Sequence, residues 1–183
     1  MIFEKTSIPC VIKIHPDVHK DNRGYFFESF KKNEFEKKNL NMKFVQDNQA
    51  QSSKGVLRGL HYQLNNPQGK LVWVTLGKVF DVAVDIRKGS PTFGQSITTL
   101  LDDKSHLRFY VPPGFAHGFQ SLEPNTEVLY TVSGDFSPDH SITLNVNDPD
   151  IALDFPMAIS SIADKDLMGI SLFELRKMRI SWK

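Results

Sequence analysis

The sequence predicts a mainly β protein, a β-barrel trimmed with short helices, and three observations carry that expectation. The first is the centre of the chain. Lys70-Leu71-Val72-Trp73-Val74-Thr75-Leu76 and the segment Lys78–Ile86 are rich in β-branched and aromatic residues, with Gly77 between them. The second is a series of short candidate strands at close intervals: Ser96–Leu101, His106–Val111, Ala116–Ser121, Glu127–Val132 and Ser141–Val146. Turn-forming residues such as Pro124-Asn125 and Ser137-Pro138-Asp139 separate them, the spacing of a sandwich, jelly roll or barrel. The third is that helical signals keep to the edges. Lys31–Asn39 is a charged candidate, and Ala163–Lys177 mixes both periods around Gly169.

Within Lys78–Ile86, strict alternation sends Phe80, Val82, Val84 and Ile86 to one face and Val79, Asp81, Ala83 and Asp85 to the other. Two carboxylates on one side argue against a plain apolar core there.

Composition narrows the function classes. A chain of 183 residues holds one well-buried core and is short for two, so residues 1–183 are read as a single domain. Its 22 Lys and Arg against 21 Asp and Glu give +1. That balance offers no broad basic field for nucleic acid, though a local basic cluster can hold a diphosphate. Cys10 is the only cysteine, which excludes an internal disulfide and a thiolate metal site. The apolar run Ile8–Ile12 is too short and interrupted for a signal peptide, and no apolar stretch reaches membrane-spanning length, about 18 residues. The expected compartment is the cytoplasm, with no membrane partner.

Two histidines sit in distinctive strand contexts, Gly55-Val56-Leu57-Arg58-Gly59-Leu60-His61-Tyr62-Gln63 and Val111-Pro112-Pro113-Gly114-Phe115-Ala116-His117-Gly118-Phe119. Pro112-x-Gly114-x-x-His117 resembles the second metal-binding motif of cupin barrels, although a lone match also fits a structural histidine. A metal cupin needs a second histidine two residues after the first and a glutamate beyond it. Here Gln63 follows His61, and Leu64-Asn65-Asn66-Pro67-Gln68 supplies no carboxylate. Two histidines make a poor metal shell, because catalytic sites use about three protein ligands. The expectation is therefore no metal.

A metal-free histidine can serve as a base, because imidazole titrates near neutrality. A carboxylate behind the ring fixes its tautomer; Asp81, Asp85, Asp164 and Asp166 are all available, and spacing does not choose among them. Tyr130, on the predicted strand Glu127–Val132, is a possible acid, although alone it reads as a packing residue. Arg58 and Lys70 can hold phosphate through charge-assisted bonds, although alone they read as solvated charges.

These residues belong to a longer ordered series. It runs through Asp21-x-Arg23-Gly24-x-Phe26-x-Glu28-Ser29, Phe44-Val45-Gln46-Asp47-Asn48, Leu57–Gln63, Lys70-Leu71-Val72 and Val79–Arg87. It continues through Ser90-Pro91-Thr92-Phe93-Gly94, Pro113–Phe119, Asn147-Asp148-Pro149 and Asp164-Lys165-Asp166. Over nearly its whole length the chain resembles the dTDP-4-dehydrorhamnose 3,5-epimerases of bacterial rhamnose synthesis. The resemblance implies a metal-free, cupin-like jelly roll, a homodimer, that epimerises a nucleotide-linked 4-keto sugar without any cofactor. By resemblance, His61 is the base, Asp166 its orienting carboxylate, Tyr130 the acid and Lys70 the group that steadies the enolate oxygen. Arg58 then lies near the diphosphate, and His117 with Asp81 forms a second polar pair in the pocket. Arg23, Phe26, Glu28, Gln46, Asn48 and Phe119 match substrate-binding positions, part of them supplied across the dimer interface. The chemistry agrees: a ketone at C4 acidifies the hydrogens at C3 and C5, so one base, one oxygen-binding donor and one acid suffice.

The chain departs from the family in three places. Gly134-Asp135-Phe136 stands where a Tyr-Tyr pair is usual, with Phe136 still able to stack on a base. Ser96 and Val146 stand where tryptophans are usual. These changes bear on the nucleotide, the sugar and the number of centres inverted. The alternatives are a relative that inverts one carbon or takes another nucleotide-linked 4-keto hexose or heptose, a metal-dependent cupin oxygenase, and a non-catalytic sugar-binding jelly roll.

Overall fold

In the computed structural model, residues 1–178 are described, and residues 179–183 of the expected domain lie outside them. The elements in chain order are β1 (Ile2–Lys5), β2 (Ile12–His15), β3 (His19–Asp21), β4 (Gly24–Phe26), α1 (Lys32–Glu36), β5 (Gln46–Ser52), β6 (Leu57–Gln63), β7 (Lys70–Leu76) and β8 (Lys78–Asp85). They continue with β9 (Ser96–Asp102), β10 (Arg108–Val111), β11 (Phe115–Ser121), β12 (Thr126–Val132), β13 (Ser141–Thr143), α2 (Asp164–Leu167) and α3 (Leu172–Lys177). One sheet runs β1-β2-β10-β7-β12-β5, a second runs β13-β6-β11-β8-β9, and β3 with β4 forms a separate hairpin. This is the expected cupin-like jelly roll.

Alternation decides what each strand presents. In β7, Val72 and Val74 enter a core that also takes Val79 and Ala83 of β8, Phe109 of β10, Phe115 and Phe119 of β11 and Val128 of β12. Leu71 of the same strand points the other way, into an outer cluster with Ile14, Tyr110 and the buried Phe35 of α1. Gly77 carries the chain between the two sheets at φ +80°, a conformation glycine adopts without strain. The face of β8 that carries Asp81 and Asp85 is the inner one, and it mixes apolar core with charge as its pattern implied. Its other face, Val82 and Val84, packs with Leu60, Leu144, Leu172 and Leu175 under the C-terminal segment.

Several predicted bounds shift for local reasons. His106 has φ +54° and stays outside β10, so the predicted His106–Val111 strand begins at Arg108. Ser141–Val146 shortens to β13, and Leu144 makes only an isolated bridge to Ile170. That bridge also splits the predicted Ala163–Lys177 helix. At Gly169 the backbones nearly touch, since a Cβ there would lie 2.8 Å from the Asn145 nitrogen. After the break, Ser171 and Glu174 form a capping box that restarts the helix as α3. The Lys31–Asn39 candidate contracts to α1, beyond which Asn39 turns to φ +60°.

One irregularity matters for everything inside the barrel. His117 pairs with His61 and Phe119 with Arg58, so β6 contributes one extra residue between two registers. On a regular strand, residues 58 and 61 would face opposite sides; the bulge turns both inward. Gly118 makes it possible, since a Cβ there would lie 2.4 Å from the Arg58 carbonyl oxygen. Gly118→Ala is expected to force β6 and β11 apart and cost about 1–3 kcal/mol, read as a lower midpoint in urea. An unchanged midpoint would show that the contact tolerates a methyl group.

Candidate active site

The bulge opens onto a cavity of about 570 Å³ between the two sheets. Gln46 and Asn48 reach it from β5, Arg58 and His61 from β6, Lys70 from β7, His117 and Phe119 from β11, and Tyr130 from β12. Phe136 stands at the margin from the β12–β13 connection, and Asp166 closes one wall from α2. The base and acid candidates therefore hang from different sheets, His61 from the five-stranded one and Tyr130 from the six-stranded one.

Of the four carboxylates that spacing left open, Asp166 is the one behind His61. Its Oδ1 lies 2.7 Å from His61 Nε2. A carboxylate only accepts, so Nε2 carries the hydrogen and Nδ1 keeps the lone pair. The Gly59 N–H donates to Asp166 Oδ2 at 3.1 Å, and the Thr143 hydroxyl donates to Oδ1 at 3.2 Å. Burial alone would raise this carboxyl, but the bonds from His61, Gly59 and Thr143 hold it below the usual carboxylate range. It stays an anion, with its ring partly open to the cavity.

The second pair is drier. His117 Nε2 lies 2.8 Å from Asp81 Oδ1 with both residues buried, and Asp81 Oδ2 has no partner among the described residues. Burial pushes the Asp81 carboxyl up and the His117 ring down, both toward their neutral forms. Asp81 does not itself line the cavity but lies behind His117. Asp85 serves elsewhere, bound to Arg87, Ser90 and Thr92.

Lys70 is buried, and among the described residues its ammonium has one long hydrogen bond, 3.4 Å to the His61 carbonyl. Burial pulls it down to about 8, against the attraction of Asp81. It is thus a poorly solvated cation with donors free for a ligand oxygen. Burial raises the Tyr130 hydroxyl, against the pull of Arg58, so it remains a phenol that can donate.

Three predicted binding residues are not gathered here. Arg23 and Phe26 lie on the exposed β3–β4 hairpin, where Arg23 pairs with Asp21 at 2.6 Å and Phe26 is 69% exposed. Glu28 follows the hairpin and pairs with Lys31. Of the departures, only Phe136 reaches the cavity. Val146 is buried with Leu60 and Leu144 under the C-terminal segment, and Ser96 opens β9 opposite Val84. Those two changes therefore leave the cavity wall unaltered.

Some residues escaped the sequence reading. Lys165, next to Asp166, lines the cavity and adds a third cation to Arg58 and Lys70. Gln63, which stands where a metal cupin needs its second histidine, spends its carboxamide on backbone groups. The signal for it was its place two residues after His61 on one strand, hence on the same face. No group of three or more His, Cys, Asp or Glu gathers as a metal site among the described residues.

The sequence profile described as dTDP-4-dehydrorhamnose 3,5-epimerase matches residues 5–174. The dTDP-4-dehydrorhamnose 3,5-epimerase of Pseudomonas aeruginosa is 45% identical over 167 residues, covering 90% of this chain and 92% of that one. Its namesake from Methanothermobacter thermautotrophicus is 44% identical, covering 90% of each. A crystal structure of dTDP-6-deoxy-D-glucose-3,5-epimerase from Legionella pneumophila, in complex with dTDP-4-keto-L-rhamnose, superposes with a TM-score of 0.91. It shares 40% identity and covers 95% of this chain and 96% of that one. With a jelly roll, an inward histidine–aspartate pair and a facing tyrosine already in place, these likenesses settle the family: the chain belongs to the dTDP-4-dehydrorhamnose 3,5-epimerases.

Proposed function

We propose that the cavity binds dTDP-4-dehydro-6-deoxyglucose and inverts C3 and C5 to give dTDP-4-dehydrorhamnose, by enolate chemistry without metal or cofactor. The observation that carries this reading is the pairing of a carboxylate-backed His61 with a phenolic Tyr130 on opposite sheets facing one cavity. His61 Nδ1 takes the proton from carbon, and the electron pair of the C–H bond moves through the C3–C4 or C4–C5 bond onto the C4 oxygen. Lys70 donates to that oxygen. Tyr130 then delivers its proton to the opposite face, and solvent returns one proton to Tyr130 and removes one from His61. A low-dielectric setting strengthens each of these interactions. Arg58 and Lys165 suit the diphosphate, Phe136 the base, and Gln46, Asn48 and Phe119 the walls around the sugar. His61 and His117 each pair with one aspartate, and among the described residues no group of three or more His, Cys, Asp or Glu gathers around them, a donor set ill-suited to a divalent ion.

The test is incubation with dTDP-4-dehydro-6-deoxyglucose in deuterated water, reading exchange and configuration separately. His61→Ala is expected to abolish both exchange and inversion, and Asp166→Asn to weaken both. In Tyr130→Phe, deuterium should still enter with retained configuration, because His61 can return a proton to its own side, while inversion falls sharply. Exchange and inversion falling together in Tyr130→Phe would overturn the two-sided assignment. EDTA should change none of these rates; activity lost to chelation and restored by one divalent ion would refute the metal-free reading.

Lys70 sets an alkaline limit. It is a cation below about pH 8, so turnover should decline as pH rises through that value. Tyr130 is displaced upward from its ordinary range and does not titrate in this window. Lys70→Met should lower kcat by roughly 10²–10³ and remove the limb. A flat wild-type profile from pH 7 to 9 would count against the lysine's assignment.

We also propose a two-fold homodimer in which the β3–β4 hairpin and Glu28 complete the partner's cavity. The support is that Tyr25 and Phe26 are exposed and do not line their own cavity. Sedimentation should report a dimer, and Phe26→Ala should raise KM. A fully active monomer at micromolar concentration would contradict this.

A further inference from the structure

Gln63 follows His61 by two residues on β6 and is only 4% exposed. Its Nε2 donates to the Asn66 carbonyl at 2.9 Å and to the Asp135 carbonyl at 3.1 Å, while its Oε1 accepts from the Ser137 N–H at 2.8 Å. Gln68, farther along the same connection to β7, donates from Nε2 to the Gly134 carbonyl at 2.6 Å. Two carboxamides thus grip the backbone of residues 134–137 at three positions, Gly134, Asp135 and Ser137. The gripped segment leads from β12 toward β13 and carries Phe136, which lines the cavity while 54% exposed.

Every one of these bonds goes to backbone. The grip is therefore indifferent to the side chains at 134–136, the stretch where this chain departs from its family's Tyr-Tyr pair. Gly134 fits closely beneath it, since a Cβ there would lie 2.9 Å from the Asn66 side-chain amide. An aromatic side chain on a loose loop must be ordered when a ring stacks on it, and that ordering subtracts from affinity. A loop already held binds without that loss.

We propose that Gln63 and Gln68 are positioning residues for the nucleoside end of the substrate, clamping the 134–137 backbone so that Phe136 stands as a pre-formed wall for a planar nucleobase. The inference rests on the nucleotide-sugar reading above. The buried donors at Lys70 and His117 mark the reacting end of the cavity, and the exposed Phe136 ring marks the end where the base lies. The clamp touches no reacting carbon, so it acts on binding rather than turnover.

The test is a double-mutant cycle read by calorimetric binding of dTDP to the full-length protein. Gln68→Met should weaken binding roughly fivefold, the worth of about one hydrogen bond. Phe136→Ala should weaken it roughly tenfold, within the range for stacking on one base. The double variant should bind no worse than Phe136→Ala alone, because the glutamine acts only through that ring. Under saturating keto sugar, kcat of Gln68→Met should stay within about twofold of wild type. Gln68→Glu keeps the shape but turns the donor into an acceptor facing the Gly134 carbonyl, so it should reproduce the loss and guards against a folding defect in the first variant. Losses that multiply in the double variant, or a fall in kcat with unchanged dTDP binding, overturn the clamp. A wild-type protein that does not bind dTDP overturns the nucleotide-sugar reading, and the clamp falls with it.

Discussion

Asp166 is the carboxylate on which the rest of the cavity depends. It accepts from the His61 ring, from the Gly59 N–H and from the Thr143 hydroxyl, so one side chain ties α2 to β6 and β13. The Gly59 bond falls within the bulge that turns Arg58 and His61 inward together. A buried anion is costly unless several donors meet it. Here each donor also does something else: one is the proposed base, one holds the bulge, and one anchors the short strand after the Phe136 loop.

The two histidine–aspartate pairs differ in their access to water, and that difference divides their work. Asp166 is held ionised, and the His61 ring bonded to it partly faces the cavity. Asp81 and His117 are buried and pushed toward neutrality, and Asp81 Oδ2 has no partner among the described residues. A ring that must accept a proton benefits from an ionised carboxylate behind it, because the imidazolium then has its counter-charge. A sealed neutral pair suits hydrogen bonding to an oxygen that gains charge nearby, beside the Lys70 ammonium.

Much of this was legible in the sequence. The alternation of Lys78–Ile86, with two carboxylates on one face, already marked an inner surface that was not plain core, and the ligand shortage around His61 already argued for acid–base chemistry. What stayed hidden has physical causes. Gln46–Ser52 is polar at nearly every position, so nothing in its composition announces a strand; it becomes β5 by pairing with β12 along its whole length. The choice among four aspartates needed tertiary contact, because Asp166 reaches His61 from a distant part of the chain. Arg58 and His61 sharing a face contradicts simple alternation and follows only from the bulge. The predicted C-terminal helix breaks into α2 and α3 because a backbone-to-backbone contact at Gly169 outweighs local propensity.

The separation between His61 and Asp166 is 105 residues, and it shapes how the molecule is made as well as how it works. Contacts between distant segments form late, after the loop between them has been closed at an entropic cost. Every strand of both sheets precedes Asp166 in the chain. The barrel can therefore close around an inward histidine that still lacks its carboxylate, and competence arrives only when the C-terminal segment docks on the outer face of the five-stranded sheet. Enzymatic activity therefore reports on that docking step as well as on the formation of the barrel.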